Sequence, residues 1–165
     1  MRLSTILDPS CIVLDVAGGA KKDVLSRIAA PIVARRPEFD GDAVVAELVR
    51  REEESSTAIA DGIAIPHARP KTGGPSAAGL GRAPRGIDFD SMDGRPTTLL
   101  MVLVSPVGGD GDHVAWLAHV ARVLGDAATR RRILEAASER DVMDVIERRE
   151  RELDDAAHGA IKDCR

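Results

Sequence analysis

Aromatic side chains are almost absent: the 165 residues include two Phe, one Trp and no Tyr. The core must therefore be built from Ala, Val, Ile and Leu, and the stacking platforms that single-stranded nucleic acid needs are missing. One-sided charge is missing too. The net charge is −4 and basic residues lie among acidic ones, which excludes the basic surface a phosphate backbone demands. The longest apolar run, Leu99 to Val104, is far too short to span a bilayer. Cys11 and Cys164 lie near opposite ends with no CxxC spacing, which suits reduced thiols better than a disulfide stapling the termini. Met1-Arg2-Leu3-Ser4 leads into polar, Pro-containing sequence rather than a signal peptide, so the expected location is cytoplasmic, with no membrane insertion.

What is present is an ordinary balance for one compact domain, 44% apolar and 30% charged. Cys11 to Val16, β-branched and bounded by Pro9 and Gly18-Gly19, reads as a strand. Val24, Leu25, Ile28, Ala29, Ile32 and Val33 recur at helical spacing, with Pro31 expected to kink or loosen the end. A second helix is expected from about Asp42, capped by Asp40 or Asp42, carrying Val44, Val45, Leu48 and Val49 and running out in Arg50 to Glu54. Residues 70–85, rich in Gly, Pro, Ala and Ser, read as loop with a short strand near Ala77 to Leu80. Asp93-Gly94 marks a turn, and Thr97 to Val104 a buried strand. Three amphipathic helices follow: one from about Asp112 to Leu124, one carrying Ile133, Leu134 and Ala137, and one opened by Ser138 with Asp141 in a capping-box arrangement. From about Glu150 a charged, frayed tail is expected. The mixture gives an α/β domain with helices covering a small sheet.

The informative stretch runs from Arg51 to Ala68. Ile63 and Ile65 alternate with small residues as a short strand would, and Pro66 ends the ladder, holding His67 at a strand terminus with little backbone freedom. Neutral imidazole is nucleophilic near physiological pH, which suits reversible phosphoryl carriage. A guanidinium is the expected helper because its fork matches phosphate oxygens. Arg51 and Arg50 are the candidates nearby, and the hydroxyls of Ser56 and Thr57 can add neutral hydrogen bonds. A lone His is more often a surface or core group than a reacting one, so context decides.

The context is specific. Arg51-Glu52, Ser56-Thr57, Ile59, Gly62 and Ile63-Ala64-Ile65-Pro66-His67 resemble, without a gap, the signature of phosphotransferase-system IIA proteins of the fructose, mannitol and nitrogen-regulatory type. Gly86-Ile87-Asp88, Asp93-Gly94 and Leu99 to Pro106 resemble further family segments, so the likeness extends from about residue 5 to 149. The family often has Gly where this chain has Ala58 and Ala60, a change that matters only if either position needs positive φ. The resemblance implies a three-layer α/β/α domain over residues 1–150 with a small mixed sheet, followed by a charged tail over 151–165. It implies His67 as phosphoryl acceptor, Arg51 as charge stabiliser and no cofactor. The implied partners are an HPr-type phosphocarrier upstream and a IIB domain or a regulatory target downstream.

His113 shares a helical stripe with Leu117, Val120 and Leu124 and so points toward the sheet, whereas His119, about 240° around, should face water. The resemblance makes His113 the assisting histidine. A metal site from His67, His113, Asp110 and Asp112 lacks any HxH, HExxH or CxxC core, and none is expected. Arg130-Arg131-Arg132 reads as a solvated helix face. Three readings remain: a nitrogen-regulatory-like carrier, somewhat preferred; a IIA component of a sugar permease; and a binding module that does not transfer.

Overall fold

A computed structural model describes residues 1–71, 73–108 and 113–162. After a 3-10 turn at Leu3–Thr5 come β1 (Leu7–Val13), α1 (Lys21–Arg35), α2 (Gly41–Glu54), β2 (Ile63–Ala64), β3 (His67–Ala68), β4 (Ala77–Ile87), β5 (Thr97–Val104), α3 (His113–Leu124), α4 (Ala127–Glu135) and α5 (Glu139–Lys162). The strands form one mixed sheet in the order β1-β4-β5-β2, with β3 also on β5. The central pair, β4 with β5, is antiparallel, while β1 lies parallel to β4, and β2 and β3 parallel to β5.

Strand β4 is longer than the loop-rich composition suggests, and its small residues have a different purpose. A Cβ on Gly79 would sit 2.9 Å from Ile32 Cδ1, and one on Gly81 only 2.4 Å from Ile28 Cδ1. Their absence lets α1 lie directly on the sheet. The neighbouring Arg82 points to the opposite face, as strand alternation requires, and bonds the carbonyls of Ile133, Leu134 and Ala136 at the end of α4. Helices α1 and α2 pack on one side and α3, α4 and α5 on the other, giving three layers around the fully buried run Leu99 to Val104.

Several boundaries differ from expectation. Strand β1 begins at Leu7 and runs through Pro9, which an edge strand tolerates because no ladder donor is needed there. Helix α1 continues through Pro31 to Arg35. Asp40, rather than Asp42, caps α2 by accepting from Ala43 N–H at 3.1 Å. At the start of α5, Ser138 Oγ accepts from Asp141 N–H as expected, while the Asp141 carboxylate accepts from the Ser138 hydroxyl and not from its backbone N–H. The expected frayed segment from Glu150 is instead helical through Lys162, and Glu150 itself is buried. Its carboxylate accepts from Leu3 N–H at 2.5 Å and meets His119 Nε2 at 2.7 Å, tying α5 to the N-terminal turn and to α3.

Candidate active site

The segment after α2 folds back on itself before joining the sheet. Ile59 N–H donates to Ile63 O and Ile63 N–H to Ala60 O, around Asp61 and Gly62 at φ 56° and 76°. A side chain at Gly62 would also sit 2.9 Å from Thr98 Oγ1, so glycine is required there. Ala58 and Ala60 are not at positive φ, and alanine stands there without strain.

Strands β2 and β3 are two pieces of one edge strand. Ile63 pairs with Leu99, Ala64 with Leu100, His67 with Leu103 and Ala68 with Val104, so the register survives the interruption. Pro66 does not end the strand as expected. Its carbonyl still accepts from Leu103 N–H at 2.9 Å, and only the donor is lost. Ile65 turns away from β5 and donates its N–H to Thr57 O at 3.0 Å. His67 is held at the first position of β3.

The ring of His67 is fixed at both nitrogens. Nδ1 lies 2.9 Å from Ile65 O, and a carbonyl only accepts, so Nδ1 carries the proton. Nε2 is therefore the lone-pair nitrogen, and it accepts from Arg51 Nε–H at 3.0 Å. Arg51 reaches there from the last turn of α2 and braces itself on Ser55 O at 2.9 Å. Burial pushes the His67 pKa below its ordinary 6.5; the bond to Ile65 O opposes this, and the Arg51 charge reinforces it. The ring is neutral and nucleophilic at neutral pH.

His113, at the start of α3, stands beside it with ring centroids 5.1 Å apart and planes tilted by 55°. Burial above all, then the charges of His67, Arg69 and Arg51, hold its pKa at about 4. Its Nδ1 is buried with no hydrogen-bond partner among the described residues. The structure thus brings together His67, His113 and Arg51. Arg50 faces outward and pairs with Glu47 and Glu54. The hydroxyls of Ser56 and Thr57 donate elsewhere, Ser56 to Phe89 O at 2.6 Å and Thr57 to Glu52 Oε2 at 2.5 Å. Asp110 and Asp112 lie outside the described residues.

Three placements were not anticipated. Glu52, in the charged run at the end of α2, is buried. It continues the stripe Val44, Leu48, Glu52 at intervals of four, and that spacing was the available signal. His119, expected at the surface, is only 12% exposed because α5 covers it. Arg130, expected on a solvated face, bonds Leu124 O and Gly125 O at the end of α3.

Residues 5–149 match the family model described as "Phosphoenolpyruvate-dependent sugar phosphotransferase system, EIIA 2". The chain belongs to this family. It is a phosphoryl carrier of the EIIA type, and such domains are phosphotransferase components. Among curated relatives of this EIIA 2 domain, a nitrogen regulatory protein of Pseudomonas aeruginosa is 34% identical over 146 residues, covering 88% of this chain and 95% of that one. A fructose-specific EIIABC component of Bacillus subtilis is 30% identical over 146 residues, 88% of this chain but 23% of that protein. Among solved structures, the nitrogen regulatory protein IIA-Ntr from Neisseria meningitidis superposes with a TM-score of 0.80 at 26% identity, covering 87% of this chain and 98% of that one. No described helix is long and apolar enough to cross a membrane.

Proposed function

We propose that His67 Nε2 accepts a phosphoryl group from the phosphohistidine of an HPr-type phosphocarrier. The observation that carries this is the Nδ1–H bond to Ile65 O, which leaves the ring's lone pair on Nε2, where Arg51 donates to it. The Nε2 lone pair forms the new N–P bond as the donor's N–P bond breaks. The ring gains positive character, and the Ile65 carbonyl at the Nδ1 proton accommodates it. Arg51 shifts its guanidinium onto the phosphoryl oxygens, where fixed charge stabilises the transferring group. His113, neutral and with an unused buried Nδ1, assists by hydrogen bonding to or orienting the phosphoryl group. Ser56 and Thr57, whose hydroxyl protons are spent on Phe89 and Glu52, shape the loop rather than bind phosphate. The carrier unit is residues 1–150, with 151–165 a charged extension, and it works in the cytoplasm without an organic cofactor or metal.

The phosphoryl group then acts as a signal to a regulatory target, as in nitrogen-regulatory IIA proteins. The near full-length match to a nitrogen regulatory protein at 34% identity supports this branch. The match to a fructose-specific component supports the second reading, donation to the IIB domain of a sugar permease. Incubation with phosphoenolpyruvate, Enzyme I and HPr tests the site. Acid-labile label on the wild type and none on His67→Ala is expected; an unlabelled wild type would leave a binding module.

A further inference from the structure

Among the described residues, Glu52 is the one carboxylate buried beneath the site. Its side chain is 3% exposed, yet it follows Arg51 directly on α2. Consecutive helix residues point about 100° apart, so Arg51 reaches the His67 ring while Glu52 turns inward under the segment that leads to it. Three donors converge on the carboxylate. Lys21 Nζ, from the start of α1, lies 2.7 Å from Oε1. Thr57 N–H and Thr57 Oγ1 donate to Oε2 at 2.9 and 2.5 Å. Lys21 is itself placed by Asp90 at 2.9 Å and by the face of Phe89, 4.9 Å from the ring centroid.

The bonds continue from there without a gap. Thr57, pinned by Glu52 at two atoms, offers its carbonyl to Ile65 N–H. The carbonyl of Ile65 in turn receives the Nδ1 proton of His67. Ile65 is the residue at which the edge strand leaves β5, so its N–H is held by Thr57 and not by the sheet.

We propose that Glu52 is a positioning residue for phosphoryl transfer: by anchoring Thr57 it holds the Ile65 peptide, which keeps His67 in the Nδ1–H tautomer with Nε2 presented to the donor. Supporting groups of this kind fix the tautomer and aim of a reacting ring. A carboxylate is suited to the place because it accepts all three bonds at once. An amide there would present an N–H group to Lys21 or to Thr57, both donors.

The inference deepens the assignment of His67 as acceptor and rests on it, so its test needs a readout independent of transfer. Imidazole 15N shifts of His67 report the tautomer directly, and transfer from phospho-HPr across a range of HPr concentrations separates maximal rate from docking. The wild type is expected in the Nδ1–H form. Glu52→Gln is expected to populate the Nε2–H tautomer and to lower the maximal rate roughly 10–100-fold with half-saturating HPr unchanged. Thr57→Val, which keeps the N–H but loses the hydroxyl, is expected to shift both readouts the same way by less, and Thr57→Ser to recover most of that loss. Thr57→Val also serves should Glu52→Gln not fold. A folded variant that keeps the wild-type tautomer and rate overturns the proposal, as does a rate loss that tracks only the unfolded fraction. If the wild type accepts no phosphoryl group, the assignment of His67 falls instead, and the tautomer measurement still decides the role of Glu52.

Discussion

Replacing Arg51 by Gln removes a guanidinium whose Nε lies 3.0 Å from His67 Nε2 while leaving a neutral polar chain in its place. Two charges about 4 Å apart at an effective dielectric near 20 interact by about 4 kcal/mol before desolvation. Loss of a single donor aimed at developing charge costs about 2.7–4 kcal/mol, or roughly 10²–10³ in rate. Part of that is recovered by the Gln amide and by water, so transfer from phospho-HPr to Arg51→Gln is expected to slow about 10²-fold. The same charge helps hold the His67 pKa below 6.5, so its removal lets that pKa rise. The variant should therefore combine a more basic ring with slower transfer, whereas basicity alone would speed attack. Rapid-quench transfer kinetics and a 15N pH titration read the two quantities separately. Wild-type transfer in Arg51→Gln, or a fall in the His67 pKa, would refute the role given to Arg51.

Folding stability should fall as pH drops from 6.5 toward 4. The unfolded chain protonates His113 near 6.5 while the folded chain refuses the proton until about 4, and His67 acts in the same direction. At full value the His113 shift is worth about 3 kcal/mol; the ring is only part-buried and screened by water, so about 1–2 kcal/mol is expected. Urea melts at pH 7 and 4.5 should show this, with a smaller difference in His113→Gln. Gly81→Ala forces a methyl against Ile28 and should cost about 1–3 kcal/mol in the same melts, with the His67 tautomer unaltered. Glu150→Ala leaves the buried Leu3 N–H without its acceptor and should cost about 1–3 kcal/mol, detectable as a lowered Tm.

The class of fold and the placement of His67 on the edge strand were legible because each depends on local pattern: Thr97 to Val104 is an unbroken apolar run, and Pro66-His67 follows a two-residue alternation. What was illegible depends on distant elements. Gly81 reads as a loop residue and Gly79 as part of a short strand, and the purpose of both is hidden until α1 is seen lying on them. His119 reads as exposed until α5 covers it, and α5 was cut short because Glu150 was taken as the start of a polar tail. Glu52 and Glu150 share one lesson. Each continues an apolar stripe at a spacing of four, Val44-Leu48-Glu52 and Val142-Ile146-Glu150, and each is buried with several donors on its carboxylate. A carboxylate at the next position of an apolar stripe signals a buried acceptor as well as a helix running out. The roles of Ser56 and Thr57 were not legible, since sequence proximity to His67 does not say which acceptor a hydroxyl faces.

The most direct test is a long-range 15N correlation spectrum of the protein before and after phosphorylation by phospho-HPr. The account predicts one new N–P bond, at Nε2 of His67, with the proton still on Nδ1. Phosphorylation at Nδ1, or on any other residue, would contradict it.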